Sequence, residues 1–416
     1  MNVRTKILAT TTGLIAVAAT VSAVAPTSAA PAPTASRTGG RAQVEQVPLT
    51  DTAGRRTDEL SAQTQRKRAS PTTQTFSTEQ LTGKSFSTLG LSWKKDSSMA
   101  PGTTAGARFH KNGKWGTWQD VPLELGESVN EAAQRAGAPS FYSGDADGVQ
   151  LRVTTPGGAL PKDLRLALVD PKNSSVDPKT PSPAAKSAPG QHPPRPGRPV
   201  VNSRADWGAD ESIADPGYKL QPSLKAALTH HTVTGNNSYT RAQVPQIING
   251  IYVNLIENQG YGDFPYHFVV DRFGGIWEGR KGSAEMRPGS DIPGILGGHA
   301  QGFNTNTFGV AALGNFEPDN SEGGENTGPH PKPSKALRNS LADLLAWKLG
   351  QYGLDPKGDV DLTSAGGGGT NPHPPGTVVP VDVITSHRDV NVTACPGQKL
   401  YDYLPKLRKD VAKRMR

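Results

Sequence analysis

Between residues 74 and 170, apolar and polar positions alternate with a period of two. Leu89, Leu91 and Trp93 are separated by Gly90 and Ser92, Val149, Leu151 and Val153 by Gln150 and Arg152, and Leu164, Leu166 and Leu168 by Arg165 and Ala167. Successive side chains of a strand face opposite sides, so this pattern marks half-buried strands. Asn112-Gly113, between Ala107-Arg108-Phe109-His110 and Lys114-Trp115-Gly116-Thr117-Trp118, is a hairpin-turn signal. A small all-β, sandwich-like domain over 74–170 is expected. Trp115 and Trp118 read as core and cover of that domain, with stacking on sugars as the alternative.

From residue 200 the pattern mixes both periods. Ala226-Ala227-Leu228 is a short strand running into Thr229-His230-His231-Thr232. Val244, Ile247, Ile248, Ile251 and Leu255 share one helical face, stopped by Gly260. Tyr266 to Val270 and Ile276 to Glu278 read as strands joined by the turn Asp271-Arg272-Phe273-Gly274-Gly275, and Gly309 to Leu313 and Val381 to Thr385 as further strands. Leu337, Leu341, Leu344, Leu345 and Lys348 fit a helix with Ser334 as N-cap and Gly353 at its end. A last helix is expected from Gly397 to about Lys409. Together these predict an α/β domain over 200–416, a mixed central β-sheet flanked by helices. Glycine- and proline-rich insertions around 317–333 and 355–380 are expected to be surface loops.

The N-terminus changes the picture of where the protein works. Arg4 and Lys6 precede an apolar stretch from Ile7 to Val24, and small residues follow at Thr27-Ser28-Ala29-Ala30. Residues 1–30 therefore read as a secretory signal peptide, and the mature protein is expected to be secreted, extracellular or wall-associated, without an integral membrane segment. Residues 31–73 lack periodic apolar positions and are expected to form a disordered tail. Residues 171–199 are a proline-rich linker. The formal net charge of +8 favours a polyanionic neighbour. Export makes nucleic acid the least favoured and leaves a membrane surface or anionic wall polymers. The basic positions Lys406, Arg408, Lys409, Lys413, Arg414 and Arg416 are most simply a solvated helix face.

Cys395 is the only cysteine. It is either a buried apolar side chain or a thiolate ligand to a metal, with His387 on the same ion. His230, His387 and Cys395 all lie just after an expected strand or just before an expected helix. Two imidazoles and a thiolate suit zinc and leave a fourth position for water. The His387 to Cys395 spacing alone does not decide between the two readings.

The motifs along this half of the chain carry a resemblance. Ser203-Arg204-Ala205-Asp206-Trp207-Gly208-Ala209, Thr229-His230-His231-Thr232, Phe264-Pro265-Tyr266-His267-Phe268 and Ile276-Trp277-Glu278-Gly279-Arg280 occur in order. Gly297-Gly298-His299-Ala300-Gln301-Gly302-Phe303-Asn304, Gly309-Val310 to Gly314-Asn315-Phe316, His387-Arg388-Asp389 and Thr393-Ala394-Cys395-Pro396-Gly397 follow. The domain resembles the zinc N-acetylmuramoyl-L-alanine amidases of the peptidoglycan recognition protein and phage-lysozyme-type superfamily.

The resemblance implies Zn2+ held by His230, His387 and Cys395, with Tyr266 assisting the zinc-bound water and the developing oxyanion. It places His231 and Thr232 near the substrate and His299 and Asn304 along the peptide groove. Thr393 occupies a position where some relatives carry lysine, and it cannot supply that charge. Ser386 stands where many relatives have glycine, and the disulfide of animal recognition proteins has no counterpart in a chain with one cysteine. The implied partner is peptidoglycan, through its muropeptide stem, and a monomer is expected. The implied activity is hydrolysis of the amide between the muramic acid lactyl group and L-alanine. The alternative is a recognition module that binds peptidoglycan without cutting it. Such relatives lose the metal cysteine, which this chain keeps.

Overall fold

Alternating positions form strands where the expectation placed them, but their second face is not left to solvent. In the computed structural model, residues 42–51, 73–123, 133–156, 160–171, 196–234, 238–318 and 332–416 are described. The expected signal peptide and most of the 31–73, 171–199 and 317–333 stretches lie outside them. The N-terminal strands are β1 (Gln43–Pro48), β2 (Thr50–Asp51), β3 (Gln74–Ser77), β4 (Leu81–Lys94), β5 (Thr104–Lys111), β6 (Lys114–Trp115), β7 (Gln119–Val121), β8 (Arg135–Gly137), β9 (Phe141–Thr155) and β10 (Arg165–Asp170). They form one antiparallel network ordered β1-β10-β4-β9-β3-β2, with β5 on β9 and β8 on β4. Asn112 and Gly113 both take positive φ (51° and 76°), as the hairpin turn requires. Leu89, Leu91, Trp93, Val149, Leu151 and Val153 are buried and share one apolar core.

Two expectations change here. Gln43–Pro48 is not part of a disordered tail: it pairs with β10 in continuous register, from Gln43 opposite Asp170 to Pro48 opposite Arg165. Backbone hydrogen bonds to an open strand edge recruit this segment, and they need no apolar periodicity. Val47 and Leu49 then bury at the margin of the core. Trp115 and Trp118 are cover rather than core. Both are partly exposed, with the Arg108 guanidinium 5.3 and 5.2 Å from their ring centres and that of Arg152 4.3 Å from Trp118.

The C-terminal part contains β11 (Ala226–His231), α1 (Val244–Val253) running into a π-helical turn (Asn254–Asn258), β12 (Phe268–Val270), β13 (Ile276–Glu278), β14 (Thr307–Ala312), α2 (Lys335–Tyr352), β15 (Asp359–Thr363), β16 (Val378–Asp382), β17 (Ile384–Ser386), α3 (Gln398–Tyr401) and α4 (Leu404–Arg414). The mixed sheet runs β13-β12-β14-β11-β17 and is antiparallel only between β12 and β13. Val244, Ile247, Ile248 and Ile251 of α1 cluster with Val269, Trp277 and Ala311. Leu337, Leu341, Leu344 and Leu345 of α2 cluster with Phe268, Val270, Val310 and the α4 residues Leu404 and Leu407. Alternate sheet residues thus meet helices on opposite faces.

Ser334 Oγ accepts the Leu337 N–H at 3.0 Å, and Gly353 ends α2 at φ 67°. Lys348, on the expected helical face, is fully buried. It donates to Met286 O at 2.8 Å, and burial pushes its ammonium down to about 7. The expected last helix is split in two, because Pro405 lacks an N–H and fits only the first turn of a new helix. The 355–380 insertion is not only loop: β15 and β16 pair antiparallel, and Leu362 and Val381 bury against Leu228 and Phe303.

Residues Gly39–Arg416 group as one unit, and the boundary between its two parts is packed. The polar positions of β4, Thr88 and Ser92, are buried along with the apolar ones. A Cβ on Gly90 would lie 1.8 Å from Asn254 Oδ1, and one on Gly250 would lie 2.3 Å from Thr88 Oγ1. Glycine on both sides lets the β4 strand and the α1 helix approach this closely. Val169 belongs to the same apolar cluster as Ile247 and Ile251. Among the described residues, no helix is long and apolar enough to cross a membrane.

Candidate metal centre

The site begins with strand register. β11 and β17 are parallel neighbours, and Thr229 lies opposite Ser386. The next residues, His230 and His387, therefore emerge side by side at the carboxyl ends of adjacent strands, with ring centres 4.8 Å apart. This is where open α/β sheets collect their functional groups. The chain then makes a short turn over His387–Asp389 and returns to bring Cys395 Sγ to 3.7 Å from His230 Nδ1.

The turn is braced from both ends. Asp389 accepts from Ser386 N (2.9 Å), Ser386 Oγ (2.7 Å), Thr385 Oγ1 (2.8 Å) and the Tyr401 hydroxyl (2.8 Å). Ser386 thus completes a capping box that glycine in its place could not form. Arg388 donates to Ala394 O and, from its backbone N–H, to Cys395 O at 3.1 Å. It also pairs with Glu317 at 3.2 Å. In the His-Arg-Asp triplet, Arg388 holds the cysteine loop, Asp389 ties the end of β17 to α3, and His387 is offered to the site.

The ligand atoms of His230, His387 and Cys395 lie within 4.8 Å of one another, and all three residues are buried. Tetrahedral zinc binds thiolate at about 2.3 Å and imidazole at about 2.0–2.1 Å, which separates such a pair by about 3.6 Å. The observed sulfur–nitrogen spacing fits that geometry. The His231 N–H points at Cys395 Sγ at 3.4 Å, a hydrogen bond that favours the thiolate.

A hydrogen-bond chain sets the tautomer of His230. Thr307 Oγ1 donates to Phe303 O at 2.6 Å, so toward His299 Nε2, 3.5 Å away, it acts as acceptor. His299 then carries its proton on Nε2 and accepts through Nδ1 from His230 Nε2, at 3.1 Å. His230 is left with its Nδ1 lone pair facing the cysteine. Ligating histidines are commonly oriented by such a partner on the other ring nitrogen. Burial holds His299 well below the ordinary histidine range, chiefly by desolvation, which keeps its acceptor nitrogen unprotonated.

His267 lies behind this pair. Its Nε2 meets Ile295 O at 2.7 Å, its Nδ1 accepts from Gly309 N at 3.0 Å, and burial pushes its pKa down to about 3. The unfolded chain takes up this proton near 6.5 and the folded protein only near 3. Between those values the unfolded state binds more protons. This histidine therefore costs stability as the pH falls through that window, at up to about 1.4 kcal/mol per pH unit. Urea midpoints should decline from pH 7.5 to 4.5 while the His267 ring resonances stay those of a neutral imidazole; a ring that titrates near 6.5 in the folded protein contradicts this.

A cleft opens over the cluster. Tyr266, Thr393, His231 and Thr232 line it, together with His387 and Cys395. The Tyr266 and His230 ring centres are 5.3 Å apart. Thr393 Oγ1 accepts from Cys395 N at 3.2 Å, so its hydroxyl hydrogen remains a donor. His231 Nδ1 accepts from Phe316 N at 3.3 Å, which puts its proton on Nε2.

Two expected groove residues are placed elsewhere. His299 is fully buried behind His230 and does not line the cleft. Asn304 Oδ1 accepts from His299 N (2.7 Å) and Ala300 N (3.0 Å), closing the turn that carries His299. Glu278 also serves the fold, accepting from Ala284 N at 3.2 Å. Sequence reasoning missed the cleft residues Val233, Gln259 and Pro265, and three from the N-terminal part, Ala138, Pro139 and Ser140. None stands out by type or spacing.

A mixed sheet with two histidines and a cysteine converging at the ends of neighbouring parallel strands defines an α/β domain built around a metal-type cluster. Residues 221–398 match the family model described as N-acetylmuramoyl-L-alanine amidase, and residues 26–194 match one described as Rv3811 N-terminal galactose-binding domain-like. Residues 221–398 are thus a domain of the N-acetylmuramoyl-L-alanine amidase family, which includes catalytic amidases and non-catalytic recognition proteins, and the N-terminal part carries a galactose-binding-like domain. It is 29% identical over 205 residues to peptidoglycan-recognition protein SC1a/b of Drosophila simulans, covering 49% of this chain and 82% of that protein. It is 26% identical over 211 residues to the human N-acetylmuramoyl-L-alanine amidase, covering 50% of this chain and 28% of that one. Among solved structures it is similar to Drosophila PGRP-LB, with TM-score 0.35 and 19% identity over 49% of this chain and 92% of that one.

Proposed function

We propose that this protein is an exported, zinc-dependent N-acetylmuramoyl-L-alanine amidase that cleaves the amide between the muramic acid lactyl group and L-alanine in peptidoglycan. The observation that carries this reading is the buried His230, His387 and Cys395 cluster, with Tyr266 in the same cleft. A bound zinc ion supplies a water of lowered pKa and polarises the scissile carbonyl. The protein's own groups do the rest. His299 and Thr307 fix the His230 ring, and Arg388 fixes the cysteine loop. Tyr266 offers a hydroxyl to the oxygen that gains charge as the carbonyl carbon becomes tetrahedral. Thr393 offers a second, neutral hydroxyl on the opposite, cysteine-bearing loop. When the carbon–nitrogen bond breaks, the alanine amine takes up a proton, and the carboxyl stays on the lactyl group. Retention of the cysteine supports catalysis over recognition alone.

Mass spectrometry of sacculus digests tests this. Stem peptides with a free L-alanine amine should appear, disappear with a chelator and return with added zinc. Peptides that stay attached to muramic acid under all conditions contradict it. Tyr266→Phe should lower turnover by about 100- to 1000-fold, the usual cost of losing one oxyanion donor, with zinc content unchanged.

A further inference from the structure

One wall of the cleft comes from outside the amidase domain. Ala138, Pro139 and Ser140 connect β8 to β9 in the N-terminal part, and they line the cleft with Tyr266, His387 and Thr393. Several bonds hold the segment. Gln259 Nε2 donates to Ala138 O at 3.0 Å, and Gln259 O accepts from Arg135 N at 3.2 Å. Asn254 Nδ2 donates to Ser140 Oγ at 2.8 Å, and Ser92 Oγ donates to Asn258 Oδ1 at 2.8 Å. Asn254 and Asn258 bound the π-helical turn after α1, a local geometry found often at functional sites. A Cβ on Gly137 would lie 2.6 Å from the Gln259 side chain, so glycine is needed for this approach. Ala138 and Ser140 are buried, and Pro139 between them is the partly exposed residue.

We propose that Pro139 is a specificity-determining contact for the substrate, so that the β domain completes the active-site cleft. The proposal rests on the amidase reading. The segment carries no charge, and Ile251, Leu255 and Pro265, which line the same cleft, are apolar. Such a wall suits a small apolar group beside the scissile amide, such as the methyl of the lactyl group or of alanine. It does not suit a carboxylate or a sugar hydroxyl. Proline holds this surface without rotamer freedom, so the wall is pre-organised.

The test uses the full chain loaded with zinc and N-acetylmuramoyl-L-alanyl-D-isoglutamine as soluble substrate. Pro139→Trp fills the cleft and should lower kcat/KM by at least about tenfold, while Pro139→Ala should raise KM several-fold and leave kcat within about twofold, the scale of adding or losing a few apolar contacts. Zinc content and Tm should match the parent, and the exposed Lys114→Ala on β6 should behave as the parent. Parent-like kcat/KM in both Pro139 variants overturns the proposal and leaves the amidase reading standing. If Pro139→Trp fails to fold, the KM of Pro139→Ala decides alone. If the parent does not cleave the compound, the sacculus digest decides the amidase reading. Binding of the same compound, followed by NMR, then decides: weaker binding by the Pro139 variants supports the wall, and unchanged binding overturns it.

Discussion

Cys395→Ser strips zinc from the protein and abolishes release of alanine-initiated peptides. A serine hydroxyl does not ionise near neutral pH, so the site loses its only anionic ligand and keeps two imidazoles. Loss of an orienting partner behind a metal ligand already costs about 10- to 100-fold in affinity or activity, and loss of the ligand itself costs more. The change is nearly isosteric at a buried position, 5% exposed, so the fold should survive. Metal analysis after dialysis, circular dichroism and sacculus digestion read the three consequences separately. A variant that keeps its zinc and digests sacculi as fast as the parent shows that Cys395 is a packing residue and removes the basis of the proposed mechanism.

His299→Leu lowers zinc affinity by about 10- to 100-fold without touching a ligand. Leucine leaves the His230 Nε2–H facing an apolar group in a buried site, so the tautomer that presents Nδ1 to the metal is no longer held. The ring is tightly enclosed: a Cβ on Gly297 or Gly309 would lie 2.5 Å from its atoms. Gly309→Ala is therefore expected to act in the same direction, by displacing His299. Competition with a chromophoric chelator measures the affinity. Partial recovery by His299→Gln, which can return an acceptor, separates loss of the hydrogen bond from loss of packing. Equal affinity in His299→Leu and the parent would show that His230 is oriented by other contacts.

The correction at His299 shows what motif order conveys. Motif order placed Gly297 to Asn304 near the site but not on which side of the ligands it falls. The turn closed by Asn304 faces the back of His230, and a buried histidine pair there reads in one dimension like a groove residue. Tyr266 and Thr393 reach the cleft because each neighbours a structural fixture, the start of β12 and the cysteine loop, whose direction follows from strand pleat and loop closure.

Local chemistry determined a good deal. The alternation around Leu89, Val149 and Leu166 specified strands and a core face, and Ser334 and Gly353 set the ends of α2. The motif series named the His230, His387 and Cys395 set. Only the tertiary structure decided the rest. Gly90 and Ser92 read as the second, open face of a half-buried strand because period two shows that such a face exists, not what covers it. That face packs on α1, and the same docking carries Pro139 to the metal cleft. Whether His387 stands beside His230 depends on the register of β17 against β11, and register is set by backbone pairing between strands far apart in the chain. Side-chain periodicity is a property of neighbours along the sequence. A site wall drawn from a second domain is a property of surfaces that meet only after both have folded.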